Sequence, residues 1–145
     1  MIVLLQRVAH ASVEVGGEVV GRVGRGCLAL VCGEPGDDDA KIAKAAKKTA
    51  KLRIFEDDDG KMNRSLADIG GGVLAVSQFT LAADCLSGNR PGFSHAAPPE
   101  EGRRIFEAYA ERLRSEGLPV ETGVFGADMK VSLVNDGPAT FWLKL

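Results

Sequence analysis

Apolar and polar residues alternate towards both ends of the chain and fall into helical spacing twice between them. Met1–Val8 is mostly apolar, with Gln6 and Arg7 near its end, and reads as a strand. Val13-Glu14-Val15 and Val19-Val20 flank Gly16-Gly17, a two-residue hairpin signal. Gly24-Arg25-Gly26 marks a second turn, and Cys27–Cys32 reads as a buried strand. Glu34-Pro35-Gly36 breaks the pattern, and Asp37, Asp38 and Asp39 place negative charge where a helix start favours it. Ala40–Leu52 is the expected helix. Ile42, Ala45, Ala46, Thr49 and Leu52 share one face, and Lys41, Lys44, Lys48 and Lys51 share another, with Lys47 beside them.

Arg53–Glu56 reads as a short strand and Asp57–Gly60 as a turn. Gly70-Gly71-Gly72 precedes Val73–Val76, a run with no charge and hence a central strand. Ala82–Ser94 reads as loop. Pro98-Pro99 and Glu100-Glu101 open a second helix with Ile105, Phe106, Tyr109 and Leu113 as its apolar stripe; Gly117 caps it and Pro119 prevents continuation. Val120–Val124, Met129–Val134 and Ala139–Leu145 are the expected closing strands. Two amphipathic helices cannot cover both faces of so many strands. The expected fold is therefore α/β, one domain over residues 1–145, in three layers (α/β/β): two packed mixed β-sheets with two main helices on one outer face. The apolar last strand calls for a partner, most simply a second copy of the chain.

Composition narrows the function classes. A chain of 145 residues can bury a sizeable core, and a formal net charge of −2 argues against a broad nucleic-acid-coating surface while leaving room for a local basic face. The lysine face of the first helix is either solvated surface or a contact for RNA phosphates. No apolar run is long enough to span a bilayer, and Met1–Ala11 carries no signal-peptide pattern. Three cysteines at irregular spacing make no disulfide framework, and Cys27 and Cys32 fall on opposite faces of their strand; a reducing cytoplasm fits. Two histidines, His10 and His95, are too few and too scattered for a metal site, and the Asp57–Gly60 turn fails the calcium-loop register, so neither metal nor cofactor is expected.

Two short stretches carry the candidate chemistry. Ser77-Gln78-Phe79-Thr80-Leu81 sets polar side chains directly after the uncharged strand, where they line a site or merely satisfy nearby backbone groups. Asn135-Asp136-Gly137-Pro138-Ala139-Thr140 lies between two alternating runs. It reads as a hairpin turn with Asp-Gly at its tip, or as a stiff backbone element whose carbonyls face a partner. There is no Gly-x-Ser-x-Gly elbow, no phosphate-binding glycine loop and no dinucleotide fingerprint. A chain this poor in catalytic groups needs a substrate that is already reactive or brings its own catalytic group.

These residues resemble the D-aminoacyl-tRNA deacylase (D-tyrosyl-tRNA deacylase) family nearly end to end. Gln6-Arg7-Val8, Ala11-Ser12-Val13, Leu52-Arg53-Ile54-Phe55-Glu56, Gly60-Lys61-Met62-Asn63, Gly123–Met129 and Ser132-Leu133-Val134 match, and Ser77–Leu81 and Asn135–Pro138 with Thr140 look like its two signature motifs. The resemblance implies hydrolysis of the ester of D-aminoacyl-tRNA, and of glycyl-tRNA, by a cytoplasmic homodimer that serves translation proofreading, with no membrane or DNA partner. It assigns catalysis to Thr80, Ser77, Gln78 and Phe79. Substrate binding and the chirality gate go to Gly137, Pro138, Arg7 and Met129, with a cis Gly137-Pro138 inserted into the other subunit's pocket and held by Arg7. Thr80 is either a nucleophile or a residue that positions the ester and a water. The second role makes the 2′-hydroxyl of the terminal adenosine the proton acceptor or activator, with N–H groups near Phe79 and Thr80 steadying the oxyanion. Ala82, Ser87 and Gly92 depart from the family's usual residues and leave the loop's contacts with the RNA end open. Two other readings are a sister editing deacylase acting on a small L-aminoacyl-tRNA and a non-catalytic tRNA-end binding module.

Overall fold

One strand touches most of the β structure. The structure, a computed structural model, describes residues 1–145. β1 (Ile2–Val15) pairs antiparallel along one edge with β3 (Gly26–Cys32) and then β2 (Glu18–Val23), and along its other edge with β8 (Lys130–Lys144). β3 continues in parallel to β6 (Gly72–Ser77), and β6 to β7 (Val120–Thr122). The result is a six-stranded mixed sheet in the order β2-β1-β3-β6-β7, with β8 joined to β1.

The change of layer happens within β1. Val3 and Leu5 belong to the core beneath the helices, whereas Ala11 and Val13 belong to a second core with Leu28, Leu74 and Val76. All four β1 residues are odd-numbered, so an unbroken pleat would point them to one face. The register against β8 slips between Gln6 and Val8, with the extra residues on β8, and again between Val8 and His10, with the extra residue on β1; the second slip reverses which side of β1 is inward. The far half of β1, with β2 and β8, then folds back over β3 and β6. Gly21 of β2 comes so close there that a Cβ would lie 2.7 Å from the Thr122 carbonyl oxygen, which only glycine allows. The two β layers expected from the sequence thus come from one hydrogen-bonded sheet that folds over itself, beside a separate two-stranded ribbon of β4 (Phe55–Glu56) and β5 (Met62–Arg64).

β3 and β6 are buried on both sides, as parallel strands need to be. Cys27, Ala29, Val73 and Ala75 meet the helices; Leu28, Leu74 and Val76 meet the second layer. α1 (Asp39–Lys51) is capped by Asp38, whose side chain accepts from the Lys41 N–H at 2.8 Å. It buries Ile42, Ala45, Ala46, Thr49 and Ala50. After the four-residue α2 (Leu66–Ile69), whose Ser65–Asp68 capping box the sequence reading passed over, the long α3 (Pro99–Ser115) buries Ile105, Phe106, Tyr109, Ala110 and Leu113 beside α1. Each large side chain among these contributes about 2 kcal/mol of burial. The two helices are also joined by a buried 2.8 Å hydrogen bond between Thr49 and Tyr109, and burial pushes the Tyr109 hydroxyl's pKa up. No helix is long and apolar enough to cross a membrane.

Three closing strands were expected, and the structure has two. β7 ends at Thr122, and β8 runs unbroken through Asn135–Thr140, so the hairpin reading is wrong. The edge of β1 supplies partners on both sides of the Gly-Pro pair, from Asn135 opposite Val8 to Thr140 opposite Gln6, and long-range pairing overrides the local turn propensity.

The α-ammonium of Met1 is buried against two carboxylates. It donates to Asp37 Oδ1 at 3.0 Å and to Glu34, which also pairs with Lys144. Burial alone would raise the Asp37 pKa, but the backbone N–H of Glu34, the ammonium and Lys41 outweigh it and hold the carboxyl below its usual range. Glu34 is lowered too: burial opposes, and bonds from Lys144 and the ammonium prevail. A depressed folded-state pKa gives stability that is present above the ordinary carboxylate range and lost as pH falls through it. Asp37→Asn should therefore cost about 2 kcal/mol near pH 7, the scale of one charge-assisted hydrogen bond. The loss should shrink as pH falls below the ordinary carboxylate range, as read by urea unfolding of variant and parent across pH.

Candidate active site

The parallel pair β3 and β6 ends at Cys32 and Ser77, and a cleft of about 500 Å³ opens there. Ligands of open α/β sheets bind beyond the carboxyl ends of such strands. After Ser77 the chain makes one 3₁₀ turn, Phe79–Ala82, fixed at its start by the Gln78 N–H bonded to the Val31 carbonyl at 2.8 Å. The turn's first internal bond is donated by Leu81 to the Gln78 carbonyl, which leaves the N–H groups of Phe79 and Thr80 ahead of the ladder.

The hydroxyls do not serve the nearby backbone. Thr80 is exposed, and its Oγ1 accepts from Gln78 Nε2; Ser77 faces the cleft and its hydroxyl has no partner in the chain. Phe79 stands edge-on to Phe93, ring centroids 5.0 Å apart. Phe125 and Met129 close the far wall, with Arg103 stacked on Phe125 at 4.8 Å. No Asp, Glu, Lys, Arg or His lines the cleft. Its one titratable side chain is Cys32, whose thiol is pushed up by burial and by the Glu34 carboxylate, and which lies 3.5 Å from the Phe79 carbonyl. No group of three His, Cys, Asp or Glu side chains is placed to hold a metal ion.

A second group lies elsewhere on the same chain. The Gly137-Pro138 peptide bond is cis, and both residues are exposed. Arg7 is buried beneath them: its Nε donates to the Asp136 carbonyl and its Nη1 to the Ile54 carbonyl, each at 2.7 Å. Asn135 Oδ1 accepts from the Ala139 N–H at 2.7 Å, so a side chain supplies a bond across the segment. A Cβ on Gly137 would sit 2.6 Å from the Ala139 nitrogen and 3.1 Å from the Arg7 guanidinium, so the position has room only for glycine.

Of the residues singled out from the sequence, Ser77, Phe79 and Met129 thus line one cleft, and Gln78 and Thr80 share the turn beside it. Arg7, Gly137 and Pro138 form a separate cluster and do not line the cleft of their own chain. Phe93 and Phe125 escaped notice; Phe125 lies within the matching stretch 123–129, and Phe93 had no local signal. The unusual loop residues have local structural roles. Ala82 is buried with Ile2 and Cys32, Ser87 bonds Asp84, and Gly92 exchanges backbone bonds of 2.8 and 2.9 Å with Asp84.

Comparison with known proteins finds likeness along nearly the whole chain. The family model described as D-Tyr-tRNA(Tyr) deacylase matches residues 4–144. The chain belongs to that family of hydrolases. It is 62% identical over 144 residues to a protein of Dinoroseobacter shibae named D-aminoacyl-tRNA deacylase, covering 99% of each chain. It is also 62% identical over 145 residues to one of the same name from Ruegeria pomeroyi, covering both chains fully. Among solved structures it superposes on the c-Myc DNA Unwinding Element Binding Protein with a TM-score of 0.94 and 38% identity, covering all of this chain and 99% of the other. It also superposes on a probable eukaryotic D-amino acid tRNA deacylase with a TM-score of 0.80 and 18% identity, covering 98% of this chain and 97% of the other, so the two share the fold.

Arg7→Ala should strip two carbonyls of their donor at once. An expected loss of about 2–4 kcal/mol follows from two unsatisfied acceptors, one of them buried. Arg7→Lys, which can reach only one of them well, should lose about half as much. Guanidinium unfolding of the three proteins measures the series, and equal midpoints would show that Arg7 does not anchor the segment.

Proposed function

We propose that residues 1–145 act as one domain that hydrolyses the ester of D-aminoacyl-tRNA in the cytoplasm, releasing the free D-amino acid, and that the chain works as a homodimer. The observation that carries this reading is the separation of two parts: an uncharged cleft beside Thr80, and an exposed, Arg7-anchored Gly137-Pro138 segment absent from its own chain's cleft lining. A second copy of the chain would supply that segment to the cleft. Backbone carbonyls would then take the substrate's α-ammonium and crowd the direction of an L side chain, while a D side chain points to solvent and glycine passes freely.

With no charged group or imidazole on the cleft wall, the 2′-hydroxyl of the terminal adenosine serves as proton acceptor for the attacking water. The N–H groups of Phe79 and Thr80 stabilise the oxyanion, and the Thr80 hydroxyl, held by Gln78, positions the ester. Ser77 and Met129 line the substrate's side of the cleft.

A wall of backbone excludes rather than slows. Tenfold discrimination needs about 1.4 kcal/mol, and a clash with a β-carbon costs several times that. Loss of labelled amino acid from charged tRNA should be rapid for D-tyrosyl-, D-aspartyl- and glycyl-tRNA and negligible for L-tyrosyl-tRNA, with light scattering reporting a dimer at micromolar concentration. Comparable D and L rates would transfer the chain to an editing activity on L substrates, and a protected ester would make it a binding module.

Thr80→Ala should keep measurable activity and leave no trapped acyl-enzyme. Replacing the substrate's terminal 2′-hydroxyl by hydrogen should cost far more, roughly the 10²–10⁴-fold of a lost general base. A covalent Thr80 ester in quenched reactions would overturn the positioning role.

A further inference from the structure

A positive patch shares no lining residue with the cleft. Lys44, Lys47, Lys48 and Lys51 of α1, with Leu52 and Arg53 just beyond it, line a shallow groove of about 410 Å³. The four lysines and Arg53 are all exposed. None of the five cations has a carboxylate within 4.0 Å, although the chain holds 20 acidic residues against 18 basic ones. Lys41, one turn earlier, is paired with Asp37, and Arg53 is oriented only by the neutral Asn63. The helix dipole favours Lys48 and Lys51, in the last turn of α1, but not Lys44, Lys47 or Arg53. Clustering five unneutralised cations costs mutual repulsion unless an anion with several charges relieves it.

The groove also adjoins the segment that the functional reading makes the chirality gate. Arg53 precedes Ile54, whose carbonyl accepts from Arg7, and the same guanidinium holds the carbonyl of Asp136 beside Gly137. Groove and gate are thus fixed to each other through one peptide unit and one side chain. The aminoacyl ester is the end of a polyphosphate, so a substrate seated at the gate carries regularly spaced anions away from it.

Resting on that reading, we propose that the groove of Lys44, Lys47, Lys48, Lys51 and Arg53 binds the phosphate backbone of the tRNA acceptor stem. Lysine ammonium groups suit this as mobile point charges that read no sequence, so the groove serves every tRNA alike.

The test compares the parent with Lys44→Gln/Lys48→Gln/Lys51→Gln, using Lys61→Gln as a control for an exposed lysine outside the groove. Two measurements are made. One is KM for D-tyrosyl-tRNA and for D-tyrosyl-adenosine across 50–300 mM salt. The other is anisotropy of labelled uncharged tRNA, which needs no hydrolysis. The triple variant should bind tRNA on the order of 10²–10³-fold more weakly at 50 mM salt, and the slope of log affinity against log salt should fall by about 2–3, at 0.7–0.9 for each phosphate no longer neutralised. Kinetics on D-tyrosyl-adenosine, and every value for Lys61→Gln, should match the parent. An unchanged tRNA affinity and slope would overturn the proposal and return the groove to solvated surface. An equal loss on the adenosine substrate would overturn it too, since the lysines would then support the cleft and not the stem. Lysine-dependent binding of a DNA duplex in place of tRNA would assign the groove to a different partner. If the parent hydrolyses no D-aminoacyl ester, the proposed activity fails, and the anisotropy series still decides the groove.

Discussion

A guanidinium buried between two carbonyls fixes the one irregular stretch of the longest strand pair. Arg7 sits where β1 changes layer, and from there its Nε and Nη1 reach Asp136 and Ile54. The register slip in β1 releases the strand from a regular ladder. The irregular pairing leaves the Asp136 carbonyl in need of a donor and the Ala139 N–H in need of an acceptor; Arg7 Nε supplies the first and Asn135 Oδ1 the second. The shift between Val8 and His10 puts an extra residue on β1 and turns Ala11 and Val13 inward, while the shift between Gln6 and Val8 leaves Asp136–Ala139 of β8 opposite Arg7 alone, so layer exchange and the Gly137-Pro138 segment rest on two adjacent irregularities.

Charge is distributed to match. The cleft has no ionised lining, the buried Asp37 and half-buried Glu34 are used against the Met1 ammonium and Lys144, and four lysines without a carboxylate partner lie together on α1. Burial pushes the Cys27 thiol up to about 12 and raises Cys32 as well, so the two inner cysteines stay as neutral packing groups. The cleft is chemically quiet, and the polar groups at its rim are backbone, hydroxyl and amide.

Much of this was legible in the sequence because it is local. The Gly16-Gly17 hairpin, the stripes Ile42–Thr49 and Ile105–Leu113, and the uncharged Val73–Val76 all declare themselves within one window, and all are found where expected. The two motifs that mark the family lie within five or six residues each. What stayed hidden depends on distant partners. Nothing near Gly137 says that Val8 and Gln6 will pair with the strand on either side of it, at Asn135 and Thr140. Phe93 becomes a cleft wall only because Asp84 and Gly92 close the loop, and Ser65 caps a helix too short to show periodicity. That Arg7 would be buried rather than solvated was unreadable from spacing; the resemblance alone suggested its task.

The pairing of β1 with β8 sets an order of events during synthesis. β1 is made first, and β2 and β3 can cover one of its edges within some thirty residues of chain. Its other edge waits for β8, more than a hundred residues later. Until then an apolar strand carries a bare row of hydrogen-bonding groups, the geometry most open to pairing with a neighbouring nascent chain. The last strand therefore acts as the clasp of the fold, and the emerging polypeptide is most vulnerable just before the segment bearing Gly137-Pro138 leaves the ribosome.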